Sequence, residues 1–242
     1  MELVWKIGND DIISVKQLIK SQGSHPMVID RRKRNIDGSE SIVISKDEFW
    51  KGMLGALLTS VQRSGPSSPI AKFLEQDPNP LSLVNCKKSQ NLEDYAVNLL
   101  REFGGIRRYN QIAESLTYNL EILESKKWKI LDELNRKLPF KNHLEEQEIA
   151  NKLMDFKGIK SKQSRSLIQS LGITRYEIPI DSRVMEWLNN EIRFPIKLSS
   201  KGMQDENYYR FILTGIRTLC QEAEIFPCEL DAMIFSIKEK MQ

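Results

Sequence analysis

A chain of 242 residues, 40% hydrophobic and 29% charged, has apolar content enough to bury a core in one large domain or two closely packed ones. A formal net charge of only +3 excludes a polybasic, tail-like binder, so any nucleic-acid surface must come from local clustering. Three cysteines, Cys86, Cys220 and Cys228, make no paired framework, and no apolar run approaches membrane-spanning length; secretion and membrane insertion are both unexpected, and a reducing intracellular setting fits.

Residues 10 to 20 read as an amphipathic helix, and Gly23, Pro26 and the mixed segment to Ile44 as a loop-like N-terminal arm with a brief extended stretch. The cluster Arg31, Arg32, Lys33 and Arg34 fits either phosphate contacts or a solvated charge run. Ser45 to Glu48 is a capping-box sequence opening a helix whose stripe of Phe49, Trp50, Met53, Leu57 and Val61 is expected to be buried. Gln62 follows, ahead of a Gly/Pro/Ser turn; a short helix begins at Ile70 and Pro78 to Pro80 breaks the chain.

From Asn91 the pattern is helical again. Tyr95, Leu99, Leu100 and Phe103 share one face, Gly104 and Gly105 interrupt, and Ile112, Leu116, Leu120 and Leu123 point inward on the next helix. Another helix buries Trp128, Leu131 and Leu134, and Trp128 reads as core because a single aromatic on an apolar stripe usually packs. Past residue 181, SRVMEWLNNEI and Tyr208 to Ala223 are helical, and Pro227 suits an early position in a last helix. With almost no strand alternation, the fold class is mainly α.

The most informative stretch is Asp155 to Val184. Ile149, Ala150, Leu153 and Met154 form a helical face that ends near Asp155, Gly158 permits a reversal, and Ser161 is placed to cap a second helix. That helix carries Ser164, Leu167, Ile168 and Leu171 and stops at Gly172. Amides at the start of a helix favour an anion, and Lys157, Lys160, Lys162 and Arg165 crowd the same spot, so the hairpin reads as a phosphate grip.

Phe156, Lys157, Gly158, Ile159, Lys160, Ser161 and Lys162 occupy the places of a motif running apolar, variable, Gly, apolar, Gly, variable, Lys. In this the chain resembles the helix-hairpin-helix DNA glycosylases, the superfamily of endonuclease III and the 8-oxoguanine glycosylases. Lys160 replaces the second glycine and Ser164 a usual alanine. Ile178 to Val184 resembles the segment holding the family's catalytic aspartate, here Asp181, with Arg183 at a basic phosphate-contact position. Leu58 to Gln62 resembles the end of the first barrel helix, and Ile225 to Asp231 the closing turn.

The resemblance implies two helical lobes with a DNA-binding cleft between them, one of residues 45–171 and one of residues 1–44 with 172–242. It implies Lys162 as an amine nucleophile and Asp181 as the carboxylate that stabilises an oxocarbenium-like state, although either alone also reads as a phosphate contact or a helix cap. DNA contacts are expected from Gln62, Lys157, Gly158, Lys160, Arg165 and Arg183. Gln62 is either a wedge for the hole left by an everted nucleotide or a polar residue fraying a helix end. The implied activity is base-excision glycosylase with β-lyase action through a lysine Schiff base, with oxidised bases slightly favoured. A helix-hairpin-helix DNA-binding protein without turnover and a monofunctional glycosylase are the alternatives. Four clustered cysteines would be needed for the iron–sulfur cluster of some relatives, so neither cluster nor metal is expected, while a monovalent cation could sit on the hairpin. The expected partner is duplex DNA with a damaged base, bound by a monomer in the cytoplasm at the nucleoid or in a nucleus.

Overall fold

The computed structural model describes residues 4–38, 42–60, 62, 65 and 67–239. Among these residues the chain forms thirteen α-helices and no strand. The N-terminal segment holds α1 (Asn9–Gln22) and α2 (Pro26–Arg32), which runs into a π-helical turn at Lys33–Asp37. The expected loop is therefore helical. Pro26 opens α2 at its first position, where a missing N–H costs nothing, and His25 caps it by accepting from Met27 N–H.

A first hydrophobic core runs from Ile44 to Ile173. Its central helix is α3 (Lys46–Leu58), started by the capping box: Glu48 N–H donates to Ser45 Oγ and Ser45 N–H to Glu48 Oε2. Phe49, Trp50, Met53 and Leu57 are all buried, while Val61 of the same stripe lies outside the described residues. Around α3 pack α4 (Pro69–Leu74), α5 (Leu83–Lys88), α6 (Leu92–Phe103), α7 (Tyr109–Ser125), α8 (Lys129–Lys137), α9 (His143–Leu153) and α10 (Ser161–Ser170). The sequence pattern did not reveal α5, whose six residues bury only Leu83 and Cys86. Trp128 is a core residue, with its indole N–H on Glu124.

A second core joins Val15, Leu18 and Val28 to residues from Ile178 to Ile234, so both ends of the chain share it. It contains α11 (Ser182–Asn190), α12 (Glu206–Glu222) and α13 (Pro227–Glu239). Arg31 pairs with Asp231 at 3.0 Å and Arg32 with Glu229 at 2.5 Å, so half of the basic cluster ties α2 to α13. Cys220 and Cys228 are buried here as free thiols, and burial pushes both up, away from the thiolate form a metal takes.

The cores meet where the chain crosses from Ile173 to Ile178. Glu146 of α9 is buried beneath this crossing and accepts from the Thr174 hydroxyl and from the backbone N–H groups of Arg175, Tyr176 and Glu177. Burial nevertheless pushes its pKa up to about 7 against these donors. Arg165 on α10 is 0% exposed; its Nε binds Glu177 at 2.8 Å and its Nη2 binds Glu206 at 2.7 Å. Arg217 closes the network on the other Glu177 oxygen at 3.1 Å. No helix among the described residues is long and apolar enough to cross a membrane.

Candidate active site

The hairpin between α9 and α10 is built on Gly158, whose φ of +79° is open to glycine and strained for other residues. A Cβ there would come 2.7 Å from Leu57 Cδ2 and 3.0 Å from Ser115 Oγ, so space as well as torsion demands the glycine. Asn119 of α7 clamps the turn, accepting from Lys157 N–H at 2.8 Å and donating to Lys157 O at 3.0 Å. Lys160, in place of the second glycine, has φ −114° and ψ −173°, extended backbone that any residue adopts. The replacement costs no strain and adds an exposed cation. Lys160, not Ser161, is the N-cap; Ser161 is buried in the first turn.

Among the described residues, the N–H groups of Gly158 and Lys160 carry no hydrogen bond, and they precede the unpaired amides of the first turn of α10. Lys157 is exposed, 2.5 Å from Glu114. Unpaired amides and exposed lysines so placed make a candidate anion site. Arg165 is not part of it. Its polar atoms are spent on Glu177 and Glu206 inside the protein, because a guanidinium this deeply buried must be paired.

Next to the hairpin a cleft of about 850 Å³ opens between the two cores. Lys162, Asp181, Arg183 and Asp231 all line it. Asp181 caps α11, with Oδ1 accepting from Arg183 N–H at 2.8 Å and Val184 N–H at 3.2 Å. Its Oδ2 takes the Arg183 guanidinium, with Nε at 2.8 Å. Burial raises the pKa of Asp181, but Arg183, the capping amide of Val184 and Lys162 together outweigh it, and the net shift is downward: the carboxyl is held ionised. Lys162 lies in the second helical position of α10, with Nζ 3.4 Å from Thr59 O. Burial lowers its pKa, Asp181 pulls the other way, and the Arg183 cation lowers it further, for a net decrease. Lys160 and Arg165 are not among the causes.

Arg183 points inward, onto Asp181 and over the Phe235 ring at 3.8 Å, and not toward the hairpin's anion site. Gln62 is held at both ends of its amide, donating to Leu58 O at 2.6 Å and accepting from Arg107 N–H at 2.9 Å. In this state it latches the turn after α3, so a wedge role requires both bonds to break. Sequence reasoning missed Asp231 as a wall of the cleft, although it closes the Ile225 to Asp231 motif. It is buried, paired to Arg31, and pushed upward in pKa by burial, with Asp181 adding to the rise.

Neither protein-family models nor curated proteins give a match to the sequence. The fold has solved counterparts. The crystal structure of Methanocaldococcus jannaschii 8-oxoguanine DNA glycosylase superposes with a TM-score of 0.69 at 18% identity, over 96% of this chain and 97% of that one. The 8-oxoguanine glycosylase/lyase of the same organism, in complex with a 15mer DNA containing 8-oxoguanine, gives a TM-score of 0.69 at 16% identity, over 95% and 97%. The chain therefore has the mainly α, helix-hairpin-helix fold of these proteins along nearly its whole length.

Proposed function

We propose that this protein is a DNA base-excision glycosylase that opens its product strand through a lysine Schiff base. The observation that carries the reading is the sharing of one cleft by an amine with a lowered pKa, Lys162, and a carboxylate held ionised, Asp181. The same fold in a glycosylase/lyase bound to lesion-containing DNA supports it.

In this reading the hairpin amides, Lys157 and Lys160 bind phosphates of duplex DNA, and a damaged nucleotide is everted into the cleft. The neutral amine of Lys162 forms a bond to the sugar C1′ as the bond from C1′ to the base breaks. The base leaves with that electron pair and takes a proton. Asp181 stabilises the positive charge that develops on the sugar. Ring opening gives an imine on Nζ, and loss of a C2′ proton expels the 3′ phosphate.

A second reading has a specific observation behind it. Both oxygens of Asp181 are occupied by its own helix and by Arg183, the arrangement of a helix cap in a DNA-binding protein without turnover. Borohydride added during reaction with lesion duplexes separates the two. The glycosylase/lyase reading expects protein covalently joined to DNA, lost in Lys162→Gln while binding survives. Binding with no adduct and no base release leaves the second reading, and base release without an adduct leaves a monofunctional enzyme.

A further inference from the structure

The α10 wall of the cleft presents Lys162, Ser166, Gln169 and Ser170. These positions recur at helical spacing, so they share one face. Gln169 is 5% exposed, and its Nε2 has no hydrogen-bond partner among the described residues. A buried donor left unpaired loses its hydration without a replacement, which makes it an exception that needs a reason.

The surroundings hold the residue in place without satisfying it. Its backbone carbonyl accepts from Asn35 Nδ2 at 3.3 Å, and the same Nδ2 reaches Thr174 O at 3.0 Å, which ties this part of α10 to the crossing between the cores. Among the described residues, Arg31 Nε is a second buried donor without a partner on a residue lining the same cleft, its guanidinium anchored by Asp231. Across the cleft, α3 contributes Gly55. A Cβ added there would find only Leu74 Cδ1, at 3.9 Å. Packing does not require this mid-helix glycine, which lines the cleft without a side chain.

We infer that Gln169 reads the everted base, donating its side-chain N–H to a carbonyl oxygen of that base. The inference rests on the glycosylase reading above and adds the specificity-determining residue. Lys162 and Gln169 stand about 10 Å apart along one helix face, so the first addresses the sugar while the second faces what the sugar carries. A base with a carbonyl on that edge completes the amide. A base with none leaves the donor buried and unpaired, the situation in which polar sites discriminate most strongly.

The test uses the 242-residue chain, three lesion duplexes and a duplex with a preformed abasic site. The lesions are 8-oxoguanine and 5-hydroxyuracil, which carry carbonyl oxygens, and 1,N6-ethenoadenine, which carries none. Wild type is expected to release at least one carbonyl base about tenfold or more faster than ethenoadenine. Gln169→Met keeps the shape without the donor. It should lower the ratio of base release to abasic-strand cleavage by about tenfold or more, with a melting temperature no lower than wild type, because an unpaired amide has been removed. Gln169→Glu, an acceptor facing an acceptor, should lower the ratio further.

A Gln169→Met protein that keeps its base preference overturns the inference. So does one in which base release and abasic cleavage fall together with the melting temperature, since Gln169 would then be a structural residue. A wild-type protein that forms the borohydride adduct on the abasic duplex but favours ethenoadenine overturns the role of Gln169 alone. One that forms no adduct and releases no base overturns the glycosylase reading with it.

Discussion

Arg183 folds back onto Asp181, two residues earlier in the chain, with its Nε 2.8 Å from Oδ2 and its guanidinium seated over Phe235. The carboxylate proposed to face a reacting sugar is thus neutralised by its own neighbour. A developing cation can use that charge fully only once the guanidinium has shifted, for instance toward a phosphate entering the cleft.

Burial lowers the pKa of the Lys162 amine most, and the same pair modulates it. Lys162 acts when unprotonated, so adduct formation on a preformed abasic duplex should rise with pH, with a midpoint below the ordinary lysine value of 10.5. Arg183 lowers this pKa and Asp181 raises it. Arg183→Gln should therefore move the midpoint up, and Asp181→Asn should move it down. Trapping rates measured across pH for the three proteins check both signs, and shifts in the same direction would disprove the coupling.

Asp181→Asn should slow base release by about a hundredfold or more, since it removes the charge that stabilises the oxocarbenium-like state. Asparagine caps helices as well as aspartate, so the melting temperature should change little. Cleavage at a preformed abasic site should fall less, because its aldehyde meets the amine without glycosidic bond breaking. Full base release by this variant would leave Asp181 as a cap only.

Gly158→Ala should destabilise the protein by about 1–3 kcal/mol, from positive φ and from the contacts with Leu57 and Ser115. Urea denaturation measures this directly. An unchanged midpoint would mean that the hairpin rearranges at no cost.

Arg165→Met should cost about 3–5 kcal/mol in urea, because it leaves buried Glu177 with only Arg217 to balance it and unpairs Glu177 Oε2, and Arg165→Met with Glu177→Gln should recover part of the loss. The salt dependence of DNA binding should stay as in wild type for any folded variant, as no phosphate contact has been removed. A shallower salt slope would restore Arg165 to the DNA surface.

The helices that frame the site were legible because their apolar residues recur at helical spacing and their starts carry capping chemistry, as at Ser45, Asp181 and Pro227. The hairpin was legible from Gly158 and its lysines. Arg165 was misread because sequence shows a cation beside other cations and does not show Glu177 and Glu206 arriving from twelve and forty-one residues away. The helical course of residues 26–37 was hidden for a similar reason: its basic residues look solvated until Glu229 and Asp231 meet them. Gln62 resembles a motif residue by position, but a motif does not tell whether an amide is free or already bonded on both sides.

The pairing of Arg31 and Arg32 with Asp231 and Glu229 also bears on the order in which the protein is made. On the ribosome, every residue of the first core has left the tunnel before α13 exists, so that lobe can fold while the chain is still growing. The segment before it must wait, its partners unsynthesised, for some two hundred residues. The cleft is therefore the last part of the molecule to form, and Asp231 completes its wall in the same event that anchors the N-terminal helices. A nascent or truncated chain would own the hairpin and Lys162 but not the Asp231 wall of the cleft.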